Sequence, residues 1–231
     1  TLFFGAGAHE PLVDLAQWRA PREDDAGARL LMAMAALRLA IGGGRAEDCT
    51  RIALAALEGE VLPDVDDNLI FVAAAIIPAL ADRPEALDLW DGLLARVHRK
   101  GSLLGTLTVH LWRGYTLLRR GELEEAEASV RQAREEMVAW GSPAALLAYP
   151  AAVLAEILVE RGELAAARAE IDLIGVRPDS DAARLLLGAR TQVLLAAGED
   201  AAAAALAAEY HDRFPDIVNP SWAPWRASAA E

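Results

Sequence analysis

RRGELEE at residues 119–125 and ERGELAA at residues 160–166 share the letters RGEL, which start at Arg120 and again at Arg161, 41 residues later. After the first copy, Leu123, Ala126, Val130 and Ala133 fall at steps of three and four residues, and Met137 extends the series. That is the spacing of one face of an α-helix. Moving on by 41 residues gives Leu164, Ala167, Ile171 and Ile174, and by 36 more Asp200, Ala203, Ala207 and Tyr210. Upstream, Arg83, Ala86, Trp90 and Leu93 keep the same phase, as do Ala46, Cys49, Ala53 and Ala56. RGEL therefore reads as a turn. A basic residue closes one helix, Gly stops it in a left-handed cap, and Glu opens the next helix where a negative charge suits the dipole.

The second position of each stripe is small: Cys49, Ala86, Ala126, Ala167 and Ala203, separated by 37, 40, 41 and 36 residues. A period of that size marks helix pairs that bury their apolar faces by stacking on their neighbours. The first helix of each pair lies just upstream. In one of them Leu104, Leu107, Leu111 and Leu118 line a face, and Gly114 allows close approach. The spacing predicts helices near 25–41, 45–58, 67–81, 84–99, 103–119, 123–139, 144–160, 164–175, 181–197 and 200–213. The expected fold is all-α: a right-handed superhelical solenoid of about five antiparallel helix pairs forming one domain over 1–231. Its repeats run over 25–58, 67–99, 103–139, 144–175 and 181–213, and 214–231 begin a further repeat or a cap.

Composition agrees with helices. Apolar residues make up 54% of the chain, much of it Ala, and aromatics only 6%, a balance that favours helix over sheet. The formal net charge of −13 opposes contact with a phosphate backbone, so no direct nucleic-acid binding is expected. The longest apolar run, Leu69–Ala81, is too short for a membrane span and contains Pro78. A lone cysteine, Cys49, excludes an internal disulfide and fits a reducing, cytoplasmic setting. The opening TLFFGAGAHEP has no basic stretch of the kind that begins a secretory signal, and the absence of an initiator Met points to a trimmed or processed chain.

The pattern Gly114, Gly121, Ala126, Ala133 resembles the tetratricopeptide repeat (TPR), with a small residue in the first helix, a turn Gly and two Ala positions in the second. Ala203 and Pro215 match that family's Ala and closing Pro. The repeats here are longer than the family's usual length of about 34 residues. More specifically, residues 99–133 (RKGSLLGTLTVHLWRGYTLLRRGELEEAEASVRQA), 153–171 (VLAEILVERGELAAARAEI) and 219–226 (NPSWAPWR) look like the helical-repeat region of the large ATP-binding LuxR-type transcriptional regulators of actinobacteria. The resemblance covers most of the chain from about residue 25 onward. It implies a middle piece of a larger regulator, serving as its signal-sensing or protein-docking arm. That family's nucleotide-binding and DNA-binding residues have no counterpart here. The alternative is a free-standing TPR-like adaptor that scaffolds protein partners.

Catalytic motifs are not found. Gly42-Gly43-Gly44-Arg45 lacks the Gly-Lys-Ser/Thr ending of a phosphate loop and reads as an inter-helix turn. Asp64, Asp66, Asp67 and Asn68 suggest a calcium loop, but its Gly and Glu positions hold Leu69 and Ala75, and helix capping after Pro63 accounts for the acids. His9, His98, His110 and His211 never stand at metal-ligand spacing. His98, Arg96, Arg99 and Lys100 belong to a solvated helix end, and Cys49 fills a packing slot. No catalytic, cofactor-binding or metal-binding residue is assigned.

Binding is expected on the concave face, which the first helices of a solenoid usually line. Side chains offset from the packing stripe there are Asn68, Phe71, Tyr115, Arg119, Tyr149, Glu156, Glu160 and Gln192. Their expected partner is a protein or a small-molecule effector, with neither nucleic acid nor membrane involved. Trp222 and Trp225 stand where a final repeat would be capped.

Overall fold

Both RGEL stretches end one helix and start another. Gly121 and Gly162 adopt φ of 77° and 76°, a left-handed conformation that costs a glycine nothing and strains other residues. The Gly121 N–H donates to Leu118 O and the Glu122 N–H to Leu117 O, at 2.9 and 3.0 Å. At the second turn the Gly162 N–H donates to Val159 O and the Glu163 N–H to Leu158 O, at 2.9 and 2.8 Å. This pair of bonds satisfies carbonyls that a helix end leaves without partners. The same pair recurs around Gly43, Gly101, Gly141 and Gly198. One detail differs from the sequence reading. Arg161 lies one residue past its helix, and its guanidinium bonds carboxylates, with Glu163 at 2.8 Å and Glu127 at 3.1 Å.

The computed structural model describes residues 26–60, 70–172 and 181–224. Among these the chain is all-α, with α1 Ala26–Ile41, α2 Ala46–Leu57, α3 Phe71–Leu80, α4 Ala86–Lys100 and α5 Leu103–Arg119. There follow α6 Leu123–Ala139, α7 Ala144–Glu160, α8 Leu164–Asp172, α9 Asp181–Ala196 and α10 Asp200–Arg213, and a 3-10 turn, Glu58–Glu60, follows α2. The acidic stretch at 64–68, Ile174 and Trp225 lie outside the described residues.

Two compact units emerge, with a boundary inside α5 between Val109 and His110. In the first, comprising described residues of 26–109 and Asp216–Trp222, α1 packs on α2 and α3 packs on both. All ten residues of α3 are buried, Pro78 included. A helix apolar on every side must be enclosed by its neighbours. Burial of Phe71, Ile76 and Ile77 alone contributes roughly 1.5–3 kcal/mol each. Arg29 of α1 is also buried, and its Nη1 donates to Ala55 O of α2 at 2.9 Å. Residues 216–222 complete this unit from the far end of the sequence. The Val218 and Asn219 N–H groups both donate to Ile41 O at 3.1 Å, and Asn219 Nδ2 donates to Ala40 O at 2.8 Å. Ile217 and Trp222 are buried.

In the second unit α7 packs against α6, α8 and α9, and α9 packs against α8 and α10. Where α5 crosses α6, a Cβ on Gly114 would fall inside contact distance of Val130 Cγ2 and 3.0 Å from Ala126 O. Ser129 Oγ of α6 donates to His110 O of α5 at 2.8 Å. Arg134 of α6 reaches Glu170 of α8 at 2.7 Å, and Arg168 of α8 pairs with Glu199 before α10. These pairs are partly exposed and contribute about 0.2–1 kcal/mol each, so packing decides the arrangement.

The small stripe residues Cys49, Ala86, Ala126, Ala167 and Ala203 are all buried to 2% exposure or less. The residues that open the stripes are not buried: Ala46, Arg83 and Asp200 are exposed, and Leu123 and Leu164 are half-buried. Each stands at or beside the inter-helix turn, where solvent replaces the neighbouring helix.

Candidate functional site

Three successive odd-numbered helices of the second unit carry a pair of residues four apart, and therefore on one helix face. These are Tyr115 and Arg119 on α5, Glu156 and Glu160 on α7, and Arg184 and Gly188 on α9. The structure gathers them into one polar cluster. The Tyr115 hydroxyl hydrogen-bonds the Arg119 side chain and feels the charges of Arg119, Glu156 and Arg184. Glu156 in turn feels Arg184, Arg119 and Glu160.

Exposure grades across the cluster. Arg184 is 1% exposed and Tyr115 is buried, Arg119, Glu156 and Gly188 are half-buried, and Glu160 is in solvent. The cluster thus spans a solvent-facing carboxylate and a buried guanidinium. Ordinary cores exclude such a charge, because its desolvation costs several kcal/mol unless it is matched.

The carboxyl of Glu156 is pushed up to about 7, first by desolvation, with the nearby Glu160 carboxylate adding to the rise, while the positive charges of Arg184 and Arg119 restrain it. At neutral pH it therefore exchanges a proton. Burial likewise pushes the Tyr115 phenol up, against the pull of Arg119, so the hydroxyl stays protonated and serves as a hydrogen-bond donor or acceptor. Beside Glu156 the backbone is bare. A Cβ placed on Gly188 would meet nothing nearer than Glu156 Oε1 and the Tyr210 ring, each 4.0 Å away. Tyr210 is held edge-on to Phe214, with ring centroids 5.6 Å apart, and Tyr115 meets Trp112 in the same manner at 5.7 Å.

Of the eight residues that the sequence offers as binding candidates, four, Tyr115, Arg119, Glu156 and Glu160, belong to this cluster. Tyr149 and Gln192 are half-buried on the same two helices, α7 and α9. Phe71 is a correction. It is 1% exposed inside the fully buried α3, so it packs the core and presents nothing to a partner. Asn68 lies outside the described residues. Sequence reasoning missed Arg184 and Gly188. Stepping back from Gln192 by four and by eight residues reaches both, and that spacing is the signal that points to them.

Elsewhere the described residues hold no group of three or more His, Cys, Asp or Glu side chains that could bind a metal ion. Cys49 is buried, and its thiol is pushed up by burial and by Asp48, which suits packing over nucleophilic attack. No described helix is long and apolar enough to cross a membrane. No family model matches the chain, and no curated protein or solved structure matches it.

Proposed function

We propose that this chain is the signal-sensing and protein-interaction segment of a LuxR-type transcriptional regulator, acting without catalysis of its own. In this reading the helix pairs stack as a right-handed TPR-like superhelix, and the faces of α5, α7 and α9 receive the effector. The observation that carries the reading is the recurrence of one turn, with its Gly and its two hydrogen bonds, between helices that keep a single stripe phase. Such an array offers an extended receiving surface. The polar cluster on α5, α7 and α9 supplies the kind of titratable groups that gather at functional sites. The resemblance of residues 99–133, 153–171 and 219–226 supplies the family.

The test is the mass of the native protein in its source cells, by immunoblot with an antibody against this segment. A band several times heavier than 24.6 kDa supports the regulator. A band at 24.6 kDa overturns it in favour of the adaptor.

A further inference from the structure

Residues 216–222 sit on the end of α1 as a short peptide would, and their turn is made within the segment itself. The Ser221 N–H donates to Asn219 Oδ1 at 2.9 Å and the Trp222 N–H to Asn219 O at 3.1 Å. Pro220 stands at the second position of that turn, where its fixed φ is favoured. Asn219 thus shapes the segment through its oxygens, while its Nδ2 reaches Ala40 O of α1 at 2.8 Å. The side chains divide in the way of a surface-bound peptide: Ile217 and Trp222 are buried, and Val218 and Pro220 are exposed.

The receiving surface is a helix end. The Gly43 and Gly44 N–H groups turn back to Ala40 O and Leu39 O, and the last carbonyl of α1, Ile41 O, takes the Val218 and Asn219 N–H groups. Gly43 lets the segment come close, since a Cβ there would lie 3.3 Å from Val218 Cγ2. The three bonds from the segment to α1 all end on backbone carbonyls, so none of them depends on the covalent link to α10.

We infer that the end of α1, with the turn at Gly42, Gly43 and Gly44, is a docking site for an extended peptide, and that residues 216–222 are its resident occupant. The partner segment has the resident's chemistry: an aliphatic anchor, Asn-Pro beginning two residues later, and Trp three residues after the Asn. A segment that carries its own turn loses less freedom on docking than a flexible one. The link to α10 gives the resident a high effective concentration, so it holds the site until it is weakened or outcompeted. The site lies in the first unit and shares no residue with the polar cluster on α5, α7 and α9. It stands whether the native protein is a regulator or an adaptor.

The probe is a fluorescein-labelled peptide of residues 214–224, FPDIVNPSWAP, titrated into the 231-residue chain and followed by anisotropy. Asn219→Ala in the chain weakens the resident, so this chain should bind the peptide saturably and about tenfold tighter than the native chain does. Adding Gly43→Asn should abolish the gain, because Asn tolerates the left-handed φ of that position and its side chain enters the place of Val218. No saturable binding by Asn219→Ala, equal affinity in the native and Asn219→Ala chains, or a gain that survives Gly43→Asn would overturn the site. Should either variant fail to fold by circular dichroism, the native chain decides. It must bind the peptide more tightly than the same peptide with Ala for Asn219, and equal affinity or no binding rejects the proposal.

Discussion

At the scale of single residues, Glu156 sets a pH dependence on stability. In the unfolded chain its carboxyl titrates near the ordinary 4.5, and in the fold near 7. The native state therefore holds a proton that the unfolded state releases. The stabilisation is complete below about pH 4.5 and is lost as pH rises through about 7, amounting to about 3 kcal/mol. Urea unfolding at pH 5 and pH 8 should show this decline, and Glu156→Gln should flatten it. Gly114 makes a second prediction. Gly114→Ala drives a methyl into Val130 where α5 crosses α6, and the urea midpoint should fall by the equivalent of about 1–3 kcal/mol. The close approach at Gly114 was legible in the sequence, because a small residue interrupts a stripe of leucines. Arg184 was not, because a sequence presents arginine as a surface residue, and only the packing of α9 against α7 shows it enclosed.

Among the elements, the turns carry the clearest message from sequence to structure. Glycine at the left-handed position is dictated by local sterics, and local rules are the ones a sequence states openly. Gly162→Ala should destabilise by about 1 kcal/mol, read as a lower thermal midpoint, since alanine must adopt the same φ with a Cβ attached. Helix phase was equally legible, and α5 to α7 begin and end at the residues expected of them. Apolar α3 was harder to place. Its residues were read as a helix with one inward-looking side chain, Phe71, yet a run without polar positions carries no phase at all. When every side is apolar, periodicity cannot say which side faces a partner, and here none does.

For the whole molecule, the least legible feature was the return of residues 216–222 to the end of α1. The stretch has no helical period, and its tie to α1 spans 179 residues through a backbone carbonyl that any sequence would supply. The Asn219 side chain adds a direct bond to α1. Asn219→Ala should cost about 1–2 kcal/mol in equilibrium unfolding and should speed hydrogen exchange at the Val218 amide. The same tie puts a clock on synthesis. Helix α1 is made well before the donors for its last carbonyls, which are translated up to 179 residues afterwards. At about 5–20 residues per second that is a wait of roughly 10–40 seconds. A helix made first is thus finished by a stretch made much later.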